Sequence, residues 1–385
     1  MKSKILELIK TNPDWQKILE DKNIKIKIDI DNLAIFNYGI DVDPFDPYVK
    51  EARGIIIDLD NLSVVCWPFT RFYNSHEEAA QEDMANFDWS HCRVENKIDG
   101  SICKLFYRPY KGALAIDLGI DGYWSWATNS CINAFEAPIM GSKKSFGEVI
   151  ESAVNFKDIP FDKLDKDCTY IFELVSPLTQ VVVSYPYTKL YHIGTRNNIT
   201  GEEYKVNIGI DWPKIYDLHS LKDCLNFVDH INDGLDHVEW EGFVAVDKDW
   251  HRLKIKSPAY LEAHYIFGNG NCSKERLLKL LDDYDLTKLT NLNPSMLVQL
   301  KYYDYRRTEL EYIVSQYISY VRGLYEEYNH DRKAVANQIK TDKLAPFGFA
   351  AIGNDKTAEK LLLDTRRKVI ADLLPDYESR DMWRM

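Results

Sequence analysis

The chain has 385 residues, more than one hydrophobic core usually covers, so two domains are expected. Hydrophobic residues make up 45% and charged residues 28%, as in ordinary globular proteins, and the formal net charge of -12 argues against a polybasic nucleic-acid coat protein or membrane-surface binder. A nucleic-acid enzyme is not excluded, because a local cluster of Lys and Arg in a cleft can meet phosphates.

The N-terminal stretch MKSKILELIKTNPDW has a short amphipathic pattern that ends at Pro13 and lacks the apolar core of a signal peptide. No uninterrupted apolar run approaches the roughly 18 residues that cross a bilayer. The seven cysteines are scattered without Cys-x-x-Cys or Cys/His ligand spacing, which favours reduced thiols over a structural zinc. We therefore expect a soluble, cytoplasmic protein with no membrane contact.

From about residue 24 to 260, short β-branched and aromatic runs alternate with turn residues. They are predicted to be strands, mostly antiparallel because the connections are short. Helical patterns interrupt them around 129–156 and 218–231. The predicted strands include residues 54–60, 63–69, 101–107, 170–175, 180–185, 189–196, 242–247 and 251–257.

After about residue 268 the pattern becomes helical. Apolar residues recur at three- and four-residue spacing from Leu310 to Leu324, and 273–284 and 355–374 behave similarly. The turn-rich segment FGNGNCS at 267–273 is the natural boundary. We predict domains at 1–265 and 266–385.

The segment ENKIDGSICKLFY places Lys97, Asp99 and Gly100 directly before a predicted strand. A lysine amine attacks phosphorus only when deprotonated, so nearby cations and partial burial would have to lower its pKa. Gly100 would let the backbone approach a nucleotide, and Asp99 could orient the lysine or a metal-bound water. Lys-x-Asp-Gly alone is a weak signal, since ordinary residue frequencies produce it in roughly one chain in ten of this size.

Two further strands carry charges beside apolar residues. Lys254 and Lys256 are two positions apart and therefore face the same side of a strand, where they could meet phosphates. Lysines that protect a solvated edge strand are an equally frequent explanation. Glu241 opens another strand, in a position that suits a divalent metal or a ribose hydroxyl, although simple solvent exposure would also explain it.

Glu173 lies within the apolar run YIFELV, and a glutamate in such a run rarely goes unpaired, so it is expected to have a functional or ion-paired role. Arg53 and Arg71 each abut a strand. Taken singly, such arginines are more often surface ion pairs than ligands.

The order of these residues resembles the motif series of the covalent nucleotidyltransferases, which comprise ATP-dependent ligases and mRNA capping enzymes. KIDGS looks like motif I, FELVSP like motif III, YHIGTR like motif IIIa, EGFVA like motif IV and KIKS like motif V, over about residues 35–260. The resemblance implies an α+β fold: a nucleotidyltransferase (ATP-grasp-like ligase) domain of antiparallel sheets flanked by helices, followed here by an all-α C-terminal domain.

Within this superfamily the stretch from Ile35 to Asp58, followed by PFTRFYN, looks most like the RNA ligase 1 group of T-even bacteriophages, in which positions matching Tyr38, Arg53 and Arg71 precede the nucleophile. That group usually has lysine at the Arg71 position, and arginine keeps the charge with a different geometry. A basic residue is also expected near Thr128 and Asn129 and is missing.

The resemblance implies that Lys97 attacks the α-phosphate of ATP and carries AMP, which passes to an RNA 5'-phosphate before a 3'-hydroxyl displaces it. Lys254 and Lys256 would neutralise the α-phosphate. Arg53 and Arg71 would hold the outer phosphates or later the RNA. Glu241 would bind Mg2+ (or Mn2+), Glu173 the ribose, and Tyr38, Asp99 and Gly100 complete the implied ATP site. Adenine would stack near the KLYHIG strand, on Tyr191 or a neighbour.

The implied partners are RNA 5'-phosphate and 3'-hydroxyl ends, including those of cleaved tRNA, and the protein is expected to be a monomer, in the host cytoplasm if viral. A DNA ligase or capping guanylyltransferase shares the motifs but usually continues into an OB-fold of short strands, whereas this chain continues into helices. A non-catalytic nucleotide- or RNA-binding module is the remaining alternative. The tyrosines of the helical part could stack on bases, although packing is the commoner role.

Overall fold

The computed structural model describes residues 2–39, 42–111, 117–139, 141–154, 159–232, 238–267, 274–283, 294–352, 357–365 and 367–377. The chain divides into two compact units, Met1–Glu262 and Ala263–Met385. The segment 268–273, on which most of the predicted boundary rests, lies outside the described residues, so the division at 265/266 stays a prediction.

The described strands of the first unit are β1 Ile24–Ile28, β2 Leu33–Tyr38, β3 Arg53–Asp58, β4 Ser63–Cys66, β5 Cys92–Asn96, β6 Ser101–Pro109, β7 Gly122–Thr128, β8 Cys168–Val175, β9 Lys189–Asn197, β10 Glu203–Tyr204, β11 Ile215–Tyr216, β12 Gly242–Asp247 and β13 Arg252–Lys256. These strands form three antiparallel sheets, with the orders β1-β2-β3-β4, β10-β9-β8-β6-β7 and β11-β5-β12-β13. The α-helices of this unit are Lys4–Thr11, Trp15–Asp21, Pro47–Glu51, Gln81–Asn86, Phe146–Ala153 and Leu221–Val228, and helix Pro258–Phe267 begins in it.

The first sheet buries its apolar face under the N-terminal helices. Ile5 and Leu8 of helix Lys4–Thr11 pack with Phe36 and Ile55 in one core cluster. The buried Glu51 carboxylate accepts hydrogen bonds from the Ile5 amide at 2.7 Å and from the Ser3 hydroxyl at 3.1 Å, which ties the start of the chain to the helix before β3.

The second sheet is built around β8, in which every residue is buried. Its neighbours β6 and β9 pair with it on both sides, and a core cluster that includes Leu105, Phe172 and Val149 covers it. A strand buried on both faces explains why YIFELV is continuously apolar instead of alternating. Glu173 is therefore held inside the protein by the strand that carries it.

The third sheet brings distant segments of the chain side by side. Strand β12 pairs with β5 on one side and with β13 on the other, so that Phe243 faces Asn96 and Gly242 faces Lys256. The stretch after β4 runs along the outer side of β13, where Lys254 exchanges backbone hydrogen bonds with Tyr73 and Ser75 at 3.0 and 2.9 Å.

Gly242 is required by this arrangement, and its replacement by alanine is expected to destabilise the first unit by more than about 2 kcal/mol. Its φ is +138°, and a Cβ there would lie 2.1 Å from the Ile255 carbonyl oxygen of β13. Thermal and urea unfolding of Gly242→Ala would measure the loss. Gly323→Ala is the control, because a Cβ at Gly323 meets nothing within 4 Å; equal loss in both variants would contradict the steric explanation.

In the described residues of the second unit, all regular secondary structure is helical. Its helices after Pro258–Phe267 are Lys274–Asp283, Pro294–Glu327, Arg332–Ile339, Ala345–Ala351, Ala358–Asp364 and Arg367–Leu373. In the 34-residue helix, Leu310, Val314, Ile318 and Val321 are buried at three- and four-residue spacing. The helix is where the sequence pattern predicts it, but its buried face differs, because Ile313 and Tyr320 of the predicted apolar pattern are exposed. Among the described helices of the whole chain, none has both the length and the apolar character needed to cross a membrane.

The predicted fold class is confirmed: antiparallel sheets flanked by helices precede a helical C-terminal region. One predicted strand is wrong. Residues 180–185 form bends instead, because the amides of Val182 and Val183 donate to the Asp99 carboxylate at 2.8 and 2.7 Å and are not available to a strand partner. The helical pattern of 355–374 corresponds to two short helices in its described part.

Candidate active site

A buried carboxylate joins two of the predicted site lysines. Glu241 is 3% exposed, and its two oxygens accept from Lys97 Nζ and Lys256 Nζ, each at 2.8 Å. The sheet fixes this contact: Lys97 follows β5 and donates its amide to the Gly242 carbonyl at 2.9 Å, while Lys256 lies opposite Gly242 on β13. Burial raises the pKa of Glu241, but the two ammonium groups outweigh it and hold the pKa below its ordinary value.

The expectation that surrounding cations lower the pKa of Lys97 is wrong for this arrangement. Burial does favour the neutral amine, but the Glu241 carboxylate at 2.8 Å and the nearby Glu173 favour the ammonium more strongly, so the pKa of Lys97 is raised. The sequence pattern identified the position of the amine but could not show which charge would contact it. Lys97 is therefore held as a protonated, oriented side chain.

Lys254 and Arg53 add positive charge that carboxylates compensate less well than they do the charges of Lys97 and Lys256. Burial, reinforced by Arg53, Lys97 and Lys256, holds the pKa of Lys254 well below its ordinary value. Within the described part of the chain no carboxylate forms an ion pair with Lys254, and Arg53 Nη1 is buried without a hydrogen-bond partner. We call Arg53, Lys97, Lys254 and Lys256 the cation cluster. Buried cations with too few anions are expected where an anion binds.

Glu173 faces the cation cluster from β8. Burial is the main reason that its pKa is raised to about 7, with the Glu241 carboxylate adding to the shift and Lys97 and Arg53 opposing it. Tyr191 lies directly across from Glu173 on β9, and paired residues of neighbouring strands present their side chains on the same face. This register puts a carboxylate and an aromatic ring on one surface beside the cluster.

Replacing Glu173 by glutamine is expected to stabilise the fold above neutral pH. The pKa of this carboxyl is about 7 in the folded protein and near 4.5 in the unfolded chain. The free energy of unfolding therefore falls as the pH rises from 4.5 to 7, since the unfolded chain ionises first. The gain in Glu173→Gln should be on the order of 3 kcal/mol at pH 8 and close to zero at pH 4. Thermal unfolding at both pH values, with the exposed Glu239→Gln as control, would test this; a gain that does not depend on pH would contradict it.

Asp99 and Gly100 have structural contacts that the sequence did not indicate. The Asp99 carboxylate is buried and accepts from the Val182 and Val183 amides and from the Tyr260 hydroxyl at 2.7 Å. Burial is the main cause that raises its pKa to about 6. A Cβ at Gly100 would lie 2.4 Å from the Leu174 carbonyl oxygen, so the close approach that requires glycine here is to β8.

Arg71 and Tyr38 lie together beside the cluster. The Arg71 guanidinium is 4.6 Å from the centre of the Tyr38 ring, and its Nη1 is buried without a hydrogen-bond partner among the described residues. Tyr38 and Arg71 both act electrostatically on Arg53, which shows that the three side chains are neighbours. Thr128, where the family resemblance leads one to expect a basic residue nearby, is the last residue of β7. Its hydroxyl accepts from the Cys131 amide at 3.1 Å, which is a structural contact.

Sequence reasoning missed two aromatic residues of the site. The Phe72 ring lies 5.2 Å from the Arg53 guanidinium and 4.6 Å from Lys254 Nζ, and Tyr260 lies 4.9 Å from Lys256 Nζ. Both follow a predicted site residue closely in sequence, Phe72 directly after Arg71 and Tyr260 four residues after Lys256. Aromatic faces favour nearby cations, so these rings help to hold the cluster in place.

Glu241 is the carboxylate of the site that could bind a divalent metal ion. The described residues contain no group of three or more His, Cys, Asp or Glu side chains that could enclose an ion. Mg2+ usually keeps several waters and binds one or two carboxylates together with substrate phosphates. Glu241, the carboxylate at the centre of the cluster, fits that mode, although both of its oxygens now contact ammonium groups.

Comparison with known proteins gives a consistent family assignment. The sequence profile of the RNA ligase family typified by T4 RNA ligase 1 matches residues 51–260. A protein of Autographa californica nuclear polyhedrosis virus, which carries the name bifunctional polynucleotide kinase/RNA ligase, is 30% identical over 62% of this chain. The matched region is 35% of that protein, so this chain spans only about a third of it.

Two further proteins are similar at lower identity. An RNA ligase of Rhodothermus phage RM378 is 24% identical, over 66% of this chain and 70% of the phage protein. A solved structure of an archaeal ATP-dependent RNA ligase has a TM-score of 0.47 and 11% identity, and the match covers 77% of this chain and 80% of the archaeal one.

Proposed function

We propose that this chain, which belongs to the T4 RNA ligase 1 family because the family profile matches more than half of it, joins RNA 5'-phosphate and 3'-hydroxyl ends with ATP. The observation that carries this proposal is the cation cluster held around Glu241, in which one lysine follows β5 and two lie on β13. Such a site suits nucleotidyl transfer, where the protein mainly aligns groups and neutralises oxygens.

In the first proposed step Lys97 Nζ attacks the α-phosphorus of ATP. Once the Lys97 ammonium has given one proton to water, a phosphorus–nitrogen bond forms and the bond between the α-phosphorus and the oxygen of the β-phosphate breaks. Pyrophosphate leaves, and the nitrogen gives a second proton to water. Lys254 and Lys256 would neutralise the α-phosphate oxygens. Arg53 and Arg71 would hold the outer phosphates during this step, or the RNA phosphate later. Because the pKa of Lys97 is raised, its ammonium can be deprotonated only when its contact with Glu241 is weakened.

A divalent ion bound by Glu241 would supply positive charge that competes with both ammonium groups for this carboxylate. The remaining binding roles belong to residues of β8 and β9. Glu173 would accept hydrogen bonds from the ribose hydroxyls, and Tyr191, which lies across from it, would stack on adenine. Asp99 acts through the backbone of residues 182–183 and is a positioning residue in this scheme.

In the later proposed steps the adenylate passes from Lys97 to an RNA 5'-phosphate, which restores the amine and forms a pyrophosphate linkage between AMP and the RNA end. A 3'-hydroxyl then attacks the RNA phosphorus, and AMP leaves. Incubation of the full chain with α-labelled ATP and Mg2+ should give an acid-labile, protein-bound label. A protein that stays unlabelled while binding nucleotide would be a binding module instead.

We further propose that the substrates are broken RNA molecules, including cleaved tRNA. We also propose that the protein acts as a monomer. Sealing of nicked tRNA stem-loops, linear RNA and nicked DNA duplexes should be compared at the same salt concentration, since phosphate contacts make affinity dependent on salt. Preference for either RNA supports an RNA ligase, whereas preference for the DNA duplex would favour the DNA ligase alternative.

A further inference from the structure

A cavity of about 620 Å3 lies next to the cation cluster, and apart from Arg71 its lining residues have no role in the mechanism above. Arg71 and Phe72 form part of its wall, and the Phe72 ring also contacts Arg53 and Lys254 of the cluster. The volume is within the range of about 300–1,000 Å3 that is typical of small-molecule sites. The cavity therefore shares Phe72 with the cation cluster and is its neighbour.

The charged groups of the cavity suit an uncharged or singly charged ligand. The lining contains as many carboxylates as cations, namely Asp83, Glu202, Glu203 and Asp249 beside Lys50, Arg71, Arg196 and Arg252. Arg252 and Glu203 pair with each other at 2.6 Å, whereas Arg71 Nη1 is buried without a hydrogen-bond partner among the described residues. Burial is the main reason that the pKa of Asp83 is raised. Carboxylates accept hydrogen bonds, so they select a ligand that carries hydroxyl or amino donors.

Trp250 gives the cavity an aromatic wall in an unusual way. It sits in the turn between β12 and β13 with φ +68°, a conformation that costs a bulky residue free energy and that Gly or Asn adopts more readily. The Asp247 carboxylate holds this turn by accepting from the Asp249 and His251 amides, each at 2.9 Å. The ring also lies 4.6 Å from the Arg93 guanidinium and 5.6 Å from that of Arg252, contacts that help to hold it in place. As part of the cavity lining, Trp250 offers a ligand an aromatic surface.

We propose that this cavity binds the 3'-terminal nucleotide of the RNA strand whose hydroxyl is joined, an inference that rests on the proposed function. The terminal ribose of that strand has two adjacent free hydroxyls, which match the carboxylates of Asp83 and Asp249. Its single phosphodiester matches Lys50 and Arg71, and its base can contact Trp250. A 5'-phosphate end carries a second negative charge and fits less well in a cavity whose four cations are already balanced by four carboxylates.

The test uses a chemically prepared RNA donor that already carries AMP, so that sealing is measured without the first step. Trp250→Ala should raise the KM for the acceptor strand about tenfold, while formation of the protein–AMP adduct stays within twofold of wild type. Asp249→Asn should reduce the preference for an acceptor ending in ribose over one ending in 2'-deoxyribose. Lys248→Met, in the same turn but paired with Asp88 and exposed, is the matched control.

The outcomes separate the possibilities. An unchanged acceptor KM in Trp250→Ala would overturn the inference, and so would a rise in the KM of the adenylated donor alone, which would assign the cavity to the 5' end. An equal loss of adduct formation would assign it to ATP. A wild-type protein that seals nothing would overturn the proposed function itself, a result that is distinct because it precedes any substitution.

Discussion

Lys97→Ala is expected to leave no detectable protein–AMP adduct, a loss larger than that from any other single substitution at the site. The proposed covalent step needs an amine at this position, and a methyl group cannot replace it. Gel detection of labelled protein after incubation with α-labelled ATP measures the effect. The exposed Lys248→Ala should label normally and shows that the loss is specific to Lys97.

A second measurement on the same variant distinguishes a lost nucleophile from a lost fold. Lys97→Ala should still seal an RNA that is already adenylated, because that step uses the RNA hydroxyl as nucleophile. Lys254 is the competing candidate, since its lowered pKa makes it the more readily deprotonated amine. Normal labelling of Lys97→Ala, with the label recovered on Lys254 after proteolysis, would reverse the assignment.

Lys254→Met is expected to slow adduct formation about 10²- to 10³-fold, the usual effect of losing one group that neutralises a developing charge, and at the same time to raise the melting temperature. Lys254 is buried among cations without a carboxylate partner in the described part of the chain, so its charge opposes folding. Differential scanning calorimetry together with single-turnover labelling would show both effects.

The pH dependence of the Lys254→Met effect has a definite sign. A lysine whose folded pKa is depressed destabilises the fold below its folded pKa, and the penalty disappears as the pH approaches the unfolded value. The advantage of the variant should therefore shrink from pH 7 to pH 9. Lys256→Met is the matched control: it removes one of the two ammonium partners of Glu241 and should lower stability. A destabilised Lys254→Met would show that the charge is compensated.

The strands that carry the site could be predicted from the sequence because their apolar residues mark buried faces. Charged residues interrupt these runs at few places, among them Glu173 and Lys254, and both interact electrostatically with Arg53, Lys97 and Glu241. Period-two spacing also placed Lys254 and Lys256 on one face, as the pairing of β13 with β12 bears out. Their individual roles stay proposals.

Interactions between segments far apart in the chain could not be predicted. The stretch 180–185 has the composition of a strand, yet Asp99, more than eighty residues away, takes two of its amides. The pKa of Lys97 depends on Glu241, 144 residues further along. The cavity beside Phe72 is likewise formed by residues from several strands and turns. Local pattern carries no information about such contacts.

The hydrogen bonds of Asp99 have a consequence for synthesis of the protein. In the folded protein this carboxylate accepts from residues 182–183 and from Tyr260, so a nascent chain that ends before about residue 260 lacks one of the donors with which Asp99 is buried. Strand β13, with two of the proposed catalytic lysines, also emerges late from the ribosome. Fragments that stop short of these residues should accumulate as incomplete, aggregation-prone intermediates, and ATP-dependent labelling should arise only as translation nears the end of the first unit.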